Sequence, residues 1–137
     1  MILDTNILSE LMRPAPDPNV TAWANRQTGR VLFSTAISEA EIRYGLNRLP
    51  DGQRKRLMTE RFDQALEERL ILILPFGSDA ARAYGDLASN LANKGLIVSM
   101  ADLMIAAIAL SAGQPLVTRN VSDFQNTGLT VINPFEP

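Results

Sequence analysis

Met1-Ile2-Leu3-Asp4-Thr5-Asn6 opens the chain with three apolar residues, then an acid, then two small polar residues. An apolar run without polar alternation is what a strand covered on both faces presents. A carboxylate at the end of such a strand is costly to leave unpartnered, because burial disfavours its charge. Asp4 therefore calls for hydrogen-bond donors or a cation.

The same punctuation recurs outward from this opening. Val31-Leu32-Phe33-Ser34, Leu70 to Leu74, Leu116-Val117-Thr118 and Leu129-Thr130-Val131-Ile132 read as four further short strands. Helical patterns fill the intervals. Asn6 to Met12 reads as a short helix. Asp17 caps a second helix with Pro18 at its first position, and Val20, Trp23 and Ala24 form its apolar face. Ser38 opens a third helix carrying Ile42, Leu46 and Leu49. Residues 53–69 form a charged amphipathic helix with Leu57, Met58, Phe62, Ala65 and Leu66 inward. Ser78 caps a helix with Ala80, Tyr84, Leu87 and Leu91 at helical spacing. Ser99 caps a nearly all-apolar helix that Gly113 closes. This alternation predicts an α/β protein, a three-layer α/β/α sandwich around a parallel sheet of about five strands. The expectation is a single domain over residues 1–137.

Composition narrows the chemistry. Cys and His are both absent. That excludes thiol nucleophiles, disulfides, Ser-His-Asp hydrolysis and most zinc sites. Any catalysis must use carboxylates, hydroxyls, amides, Arg or Lys. There is no long apolar run of membrane-spanning length and no basic leader, so the expectation is a cytoplasmic protein without a membrane partner. The formal net charge is -2. Arg43, Arg48, Arg54, Lys55, Arg56 and Arg61 nevertheless stand against only Asp51 and Glu60 in their stretch. That face suits phosphates, or is simply a solvated helix surface.

The topology converts spacing into geometry. In a parallel α/β sheet, strand C-termini and helix N-termini share one edge, and ligands bind there. Asp4 ends the first strand. Glu41 falls in the first turn after the second strand. Asp102 falls in the first turn of the apolar helix. Asp123 lies just beyond the fourth strand. Four segments thus deliver a carboxylate to one edge, and hard oxygen ligands of this kind suit Mg²⁺ or Mn²⁺. Each acid also has a bland reading. Ser38 to Glu41 and Ser99 to Asp102 both fit a capping box. Asp4 fits an Asx turn, and Asp123 fits an ordinary loop.

Leu3-Asp4-Thr5-Asn6, Ser38-Glu39-Ala40-Glu41-Ile42-Arg43-Tyr44-Gly45, Ala101-Asp102-Leu103-Met104-Ile105-Ala106-Ala107 and Thr118-Arg119-Asn120-Val121-Ser122-Asp123-Phe124 together resemble, in order and spacing, the motifs of PIN domains. Ser9 to Pro14 and the terminal Asn133-Pro134-Phe135 resemble the FitB-like branch of the VapC toxins. The resemblance implies a PIN-like fold and a Mg²⁺-dependent endoribonuclease that is the toxin of a type II toxin–antitoxin system. It implies Asp4, Glu41, Asp102 and Asp123 as catalytic, metal-binding acids, with Asp4 and Asp102 the direct ligands. Asn6 would orient Asp4, Thr118 would steady the acids, and Arg119 and Arg43 would contact RNA.

It also implies an RNA substrate cut to 5′-phosphate and 3′-hydroxyl ends, with Mn²⁺ supporting activity as well. A cognate antitoxin, a homodimer and a larger assembly on operator DNA are the implied partners. Ile7, Leu8, Leu11, Met12 and the helix at 53–69 offer a groove for the antitoxin, or else face the core or the dimer. Two other classes remain open on the residues alone. One is a Mg²⁺-dependent phosphoacceptor or phosphatase domain. The other is a non-catalytic PIN-like binding module whose acids serve as caps.

Overall fold

The computed structural model describes all 137 residues. In chain order the elements are β1 (Ile2–Leu3), α1 (Thr5–Leu11), α2 (Pro18–Arg26), β2 (Leu32–Thr35), α3 (Ala36–Arg48), α4 (Gln53–Glu67), β3 (Ile71–Leu74), α5 (Ser78–Asn93), α6 (Met100–Ala112), β4 (Leu116–Val117), α7 (Val121–Phe124) and β5 (Val131–Ile132). The strands form one sheet of order β3-β2-β1-β4-β5, parallel throughout.

The chain steps from β1 out to β2 and β3, then returns to lay β4 and β5 on the other side of β1. Right-handed crossovers in opposite directions must place their helices on opposite faces. The core divides accordingly. Ile2 and Leu116, paired in register, pack under α5, α6 and α7 with Leu87, Ile105 and Phe124. Leu3 and Val117, the next pair, pack under α1 to α4 with Ile7, Trp23, Ile42 and Phe62. The period-two alternation of β1 and β4 thus fills both layers of the sandwich. In α6, the consecutive residues Ile105 to Ala109 are all buried, as an all-round apolar helix requires. Gly113 ends it in the left-handed conformation at φ 64°.

Several local expectations are corrected. Thr35, not Ser38, caps α3, its side chain accepting from the Ser38 N–H. The helix begins earlier, so Glu41 falls in its second turn. Asp123 sits in the short helix α7 rather than a loop. Leu57 is exposed rather than inward, because α4 buries only Phe62 fully. Ile7 and Leu8 are core residues, so of the proposed groove formers on α1 only the half-buried Leu11 and Met12 keep a free surface.

The Ser9–Pro14 stretch has a structural task. Glu10 is buried, and its Oε1 accepts the Asp17 N–H at 2.8 Å while Arg13 Nη1 donates to Oε2 at 3.2 Å. One carboxylate therefore pins the loop between α1 and α2, and Asp17 in turn caps α2. Glu10→Ala leaves the Asp17 N–H without its acceptor. The expected loss is about 1–3 kcal/mol in urea denaturation.

Candidate active site

The sheet order reverses between β1 and β4, and open α/β sheets bind ligands beyond the carboxyl ends of the strands at such a reversal. Asp4 leaves β1 there, and Thr118 leaves β4 beside it. Thr118 Oγ1 donates to Asp4 Oδ2 at 2.6 Å, and Asn6 Nδ2 donates to the same oxygen at 3.1 Å. Asp4 Oδ1 accepts the Thr5 N–H at 2.8 Å, which makes Asp4 the cap of α1 as well. Thr118 Oγ1 accepts the Asn120 N–H at 3.0 Å, and Asn6 Oδ1 accepts the Arg119 N–H at 3.2 Å. Asn6 and Thr118 thus orient Asp4 and tie the start of α1 to the end of β4.

Glu41 is exposed on α3, and its Oε1 accepts from Thr5 Oγ1 at 2.9 Å. Thr5 Oγ1 also lies 3.0 Å from Ser38 Oγ. Sequence reasoning missed this function of Thr5 and read Ser38 as a cap. The available signal was a hydroxyl directly after the Asp4 acid. Asp102 lies in the first turn of α6, where its N–H donates to Ser99 Oγ at 3.2 Å. Asp123 is exposed on α7 and lines a cleft with Ile97 and Val98.

Burial pushes the Asp4 carboxyl above the ordinary carboxylate range. Donation from Thr118 and the Thr5 amide opposes that rise, and the charges of Asp102 and Glu41 add to it. Asp102 is raised in the same way, first by burial, against the Ser99 hydroxyl and with the help of the Asp123 charge. The acids are therefore coupled neighbour to neighbour, in the order Glu41, Asp4, Asp102, Asp123. No three of them converge tightly enough to hold a metal ion with the side chains as placed.

No cation of the protein answers these four charges. The ion pairs engage Glu10, Glu39, Asp51, Asp63 and Asp79 instead. The two arginines singled out as RNA contacts are placed differently. Arg43 Nη1 is 2.5 Å from Asp63 Oδ1, and its guanidinium lies over the Phe62 ring at 4.9 Å, so it braces α3 against α4. Arg119 lies over the Phe135 ring at 4.7 Å, with its backbone bonded to Asn6 beside Asp4.

Thr118→Val is close to isosteric and removes the strongest donor to Asp4. It leaves the Asn120 N–H without its acceptor, at an expected cost of about 1–3 kcal/mol. Losing a bond to the charged form raises the Asp4 pKa further. The acid limb of a pH–rate profile should therefore move to higher pH, which a profile from pH 5 to 9 reads directly.

The sequence profile of the PIN domain matches residues 1–128. The chain belongs to the PIN domain family. Its relatives within that family span it end to end. VapC ribonuclease Y4jK of Sinorhizobium fredii is 39% identical over 138 residues, covering 100% of this chain and 99% of its own. Toxin FitB of Neisseria gonorrhoeae is 32% identical, with 98% of each chain covered. Among solved structures, a chain of the FitAcB complex from Neisseria gonorrhoeae superposes with a TM-score of 0.90 at 33% identity, covering 99% of both chains. A chain of VapBC2 from Rickettsia felis, bound to a DNA fragment from its promoter, superposes at 0.82 with 26% identity and 96% coverage of each. The PIN-like α/β/α sandwich expected from the sequence is the fold found, and the VapC-type family expected from the motifs is the family matched.

Proposed function

We propose that this PIN-domain protein is the toxin of a type II toxin–antitoxin pair and a metal-dependent endoribonuclease. One observation carries the reading: a buried carboxylate at the switch point of the sheet, flanked by three more acids and answered by no Lys or Arg, on a chain whose full-length relatives are named ribonucleases and toxins. Four hard oxygen donors with no cation of their own fit Mg²⁺, with Mn²⁺ as a substitute. Asp4 and Asp102 would hold the ion, with Glu41 and Asp123 completing the site. Both outer acids are exposed, so their side chains have room to turn inward. When bound, the ion lowers the pKa of a water and stabilises negative charge on the scissile phosphate.

The chain's own residues do the rest. Asn6 and Thr118 fix the Asp4 carboxylate. Thr5 holds Glu41 by Oε1 alone, which leaves Oε2 free to take the proton of the attacking water, a task no His or Cys is present to perform. Arg119 would steady a phosphate at the rim. In-line attack then gives 5′-phosphate and 3′-hydroxyl ends. The phosphoacceptor alternative lacks support from Lys55, which is committed to Asp51 and the Asn47 carbonyl.

The partners follow the same reading. Leu11, Met12, Arg61, Ala65 and Ile71 line a groove of about 250 Å³ between α1 and α4, with the buried Leu8 and Phe62 at its floor. An antitoxin helix would lay its apolar face there. A homodimer, assembly with the antitoxin on operator DNA, and action in the cytoplasm complete the proposal, with residues 1–137 acting as one domain. No helix is long and apolar enough to cross a membrane.

The test is cleavage of a structured RNA pool by antitoxin-free protein. Mg²⁺ and Mn²⁺ should support it, EDTA should stop it, and the products should carry 5′-phosphates. Cleavage that survives EDTA, or no cleavage with either metal, overturns the proposal.

A further inference from the structure

We infer that the exposed face of α3 beside Glu41 is a base-stacking subsite, in which Tyr44 takes an unpaired nucleobase of the RNA strand and Arg48 the neighbouring phosphate. The inference rests on the ribonuclease reading above. Tyr44 is 66% exposed and is the only aromatic side chain among the exposed large hydrophobics. Its hydroxyl makes no hydrogen bond within the protein, and its ring packs into neither core cluster. The ring is therefore not part of the folded core.

Its surroundings point to a nucleic acid. Glu41, Tyr44, Gly45 and Arg48 stand at positions i, i+3, i+4 and i+7, hence on one side of the helix. With a rise of about 1.5 Å per residue, the ring lies about 4.5 Å and the arginine about 10 Å along the axis from the acid. That is a length over which one or two nucleotides can run. The Arg48 guanidinium lies 5.9 Å from the Tyr44 ring centroid, and no acid pairs with it. The contrast with Arg43 on the same helix is instructive. Arg43 also covers an aromatic ring, but that ring is buried and the arginine is ion-paired to Asp63 and Glu39. One arginine–aromatic pair braces the fold, and the other faces solvent with its charge unanswered.

The path between the pair and the acids is open. A groove lined by Thr5, Glu41, Gly45 and Leu49 runs alongside, and a Cβ at Gly45 would meet nothing within 4 Å. A strand lying there would present a base to the ring while its phosphates approach Arg48 on one side and the acids on the other. Stacking accepts any base, since every base has a π-face. The subsite would therefore favour single-stranded segments over paired ones without dictating their sequence.

The experiment measures binding of a mixed-sequence 12-nucleotide single-stranded RNA by fluorescence anisotropy. It uses the Asp102→Asn protein, so that cleavage does not interfere. Adding Tyr44→Ala should weaken binding by about tenfold or more, as expected for loss of one stacked base. Adding Tyr44→Phe should leave it within about twofold, and Arg48→Gln should weaken it with a smaller salt dependence. Equal binding by the Tyr44→Ala and parent proteins, or no RNA binding by the parent, overturns the subsite. So does a Tyr44→Ala protein that sediments at a different oligomeric state, since Tyr44 would then be a protein interface residue. Cleavage by the wild-type protein reports separately on the ribonuclease reading, so the two failures are distinguishable.

Discussion

Asp102→Asn is expected to cut RNA cleavage by more than about a hundredfold, while making the metal-free protein more stable. The first effect follows from the proposed role. Even the outer partners of metal ligands typically cost 10–100-fold when removed, and a direct ligand costs more. The second follows from the sign of the pKa shift. Burial and the Asp123 charge raise the folded-state pKa of Asp102 above its ordinary value of 3.8. Between the two values the native state binds more protons than the unfolded chain, so this group makes stability fall as pH rises. At neutral pH the ionised Asp102 is a net cost to the fold, which Asn removes. The gap in stability between wild type and Asp102→Asn should therefore be widest at neutral pH and shrink as pH falls through the raised pKa. Urea titrations of both proteins in EDTA, at several pH values, read this directly. Millimolar Mg²⁺ should stabilise the wild type and leave Asp102→Asn unmoved.

Phe62→Ala is expected to cost about 3–5 kcal/mol, the range for removing a buried aromatic side chain. Phe62 is 2% exposed and is the one fully buried residue of α4. It packs with Leu3, Leu8, Ile42 and Leu46 from β1, α1 and α3, so its ring joins α4 to the rest of its layer. The ring also lies under the Arg43 guanidinium, whose partner Asp63 is the next residue on α4. Truncation thus loosens the Arg43 brace as well as leaving a cavity. A loss of this size is a large share of the stability of a domain of this length. Thermal or urea denaturation gives the value, and a change below about 1 kcal/mol would mean that α4 is held by something other than its apolar face.

The layer architecture was legible because it depends on patterns that a sequence carries openly. The apolar strands β1 and β4 and the all-apolar α6 have few other places to go, and Asp17-Pro18, Ser99 and Gly113 mark helix ends by their chemistry. What was not legible was decided by tertiary contacts. Ser38 and Thr35 are both competent caps three residues apart, and only the end of β2 makes Thr35 the one used. Helix α7 is a single turn, too short for any periodicity. Leu57 satisfies the helical pattern of α4, yet it is 44% exposed in the fold. The burial of Glu10 depends on the loop to Asp17 folding back onto it, a contact that no local pattern announces.

The candidate site was legible in a more limited sense. Strand ends and helix starts brought Asp4 and Thr118 to one point, and that geometry follows from topology. The hydroxyl link from Thr5 to Glu41 needed the actual approach of α1 to α3. How closely the four acids converge needed side-chain positions that no pattern supplies.

The central claim is that Glu41, Asp4, Asp102 and Asp123 act as one cation site. Calorimetric titration of Mn²⁺ into antitoxin-free wild-type protein at neutral pH tests it most directly. The account predicts saturable binding, and predicts its loss in Asp102→Asn. Wild-type protein that takes up no Mn²⁺, or an Asp102→Asn protein that binds it equally well, would contradict the account.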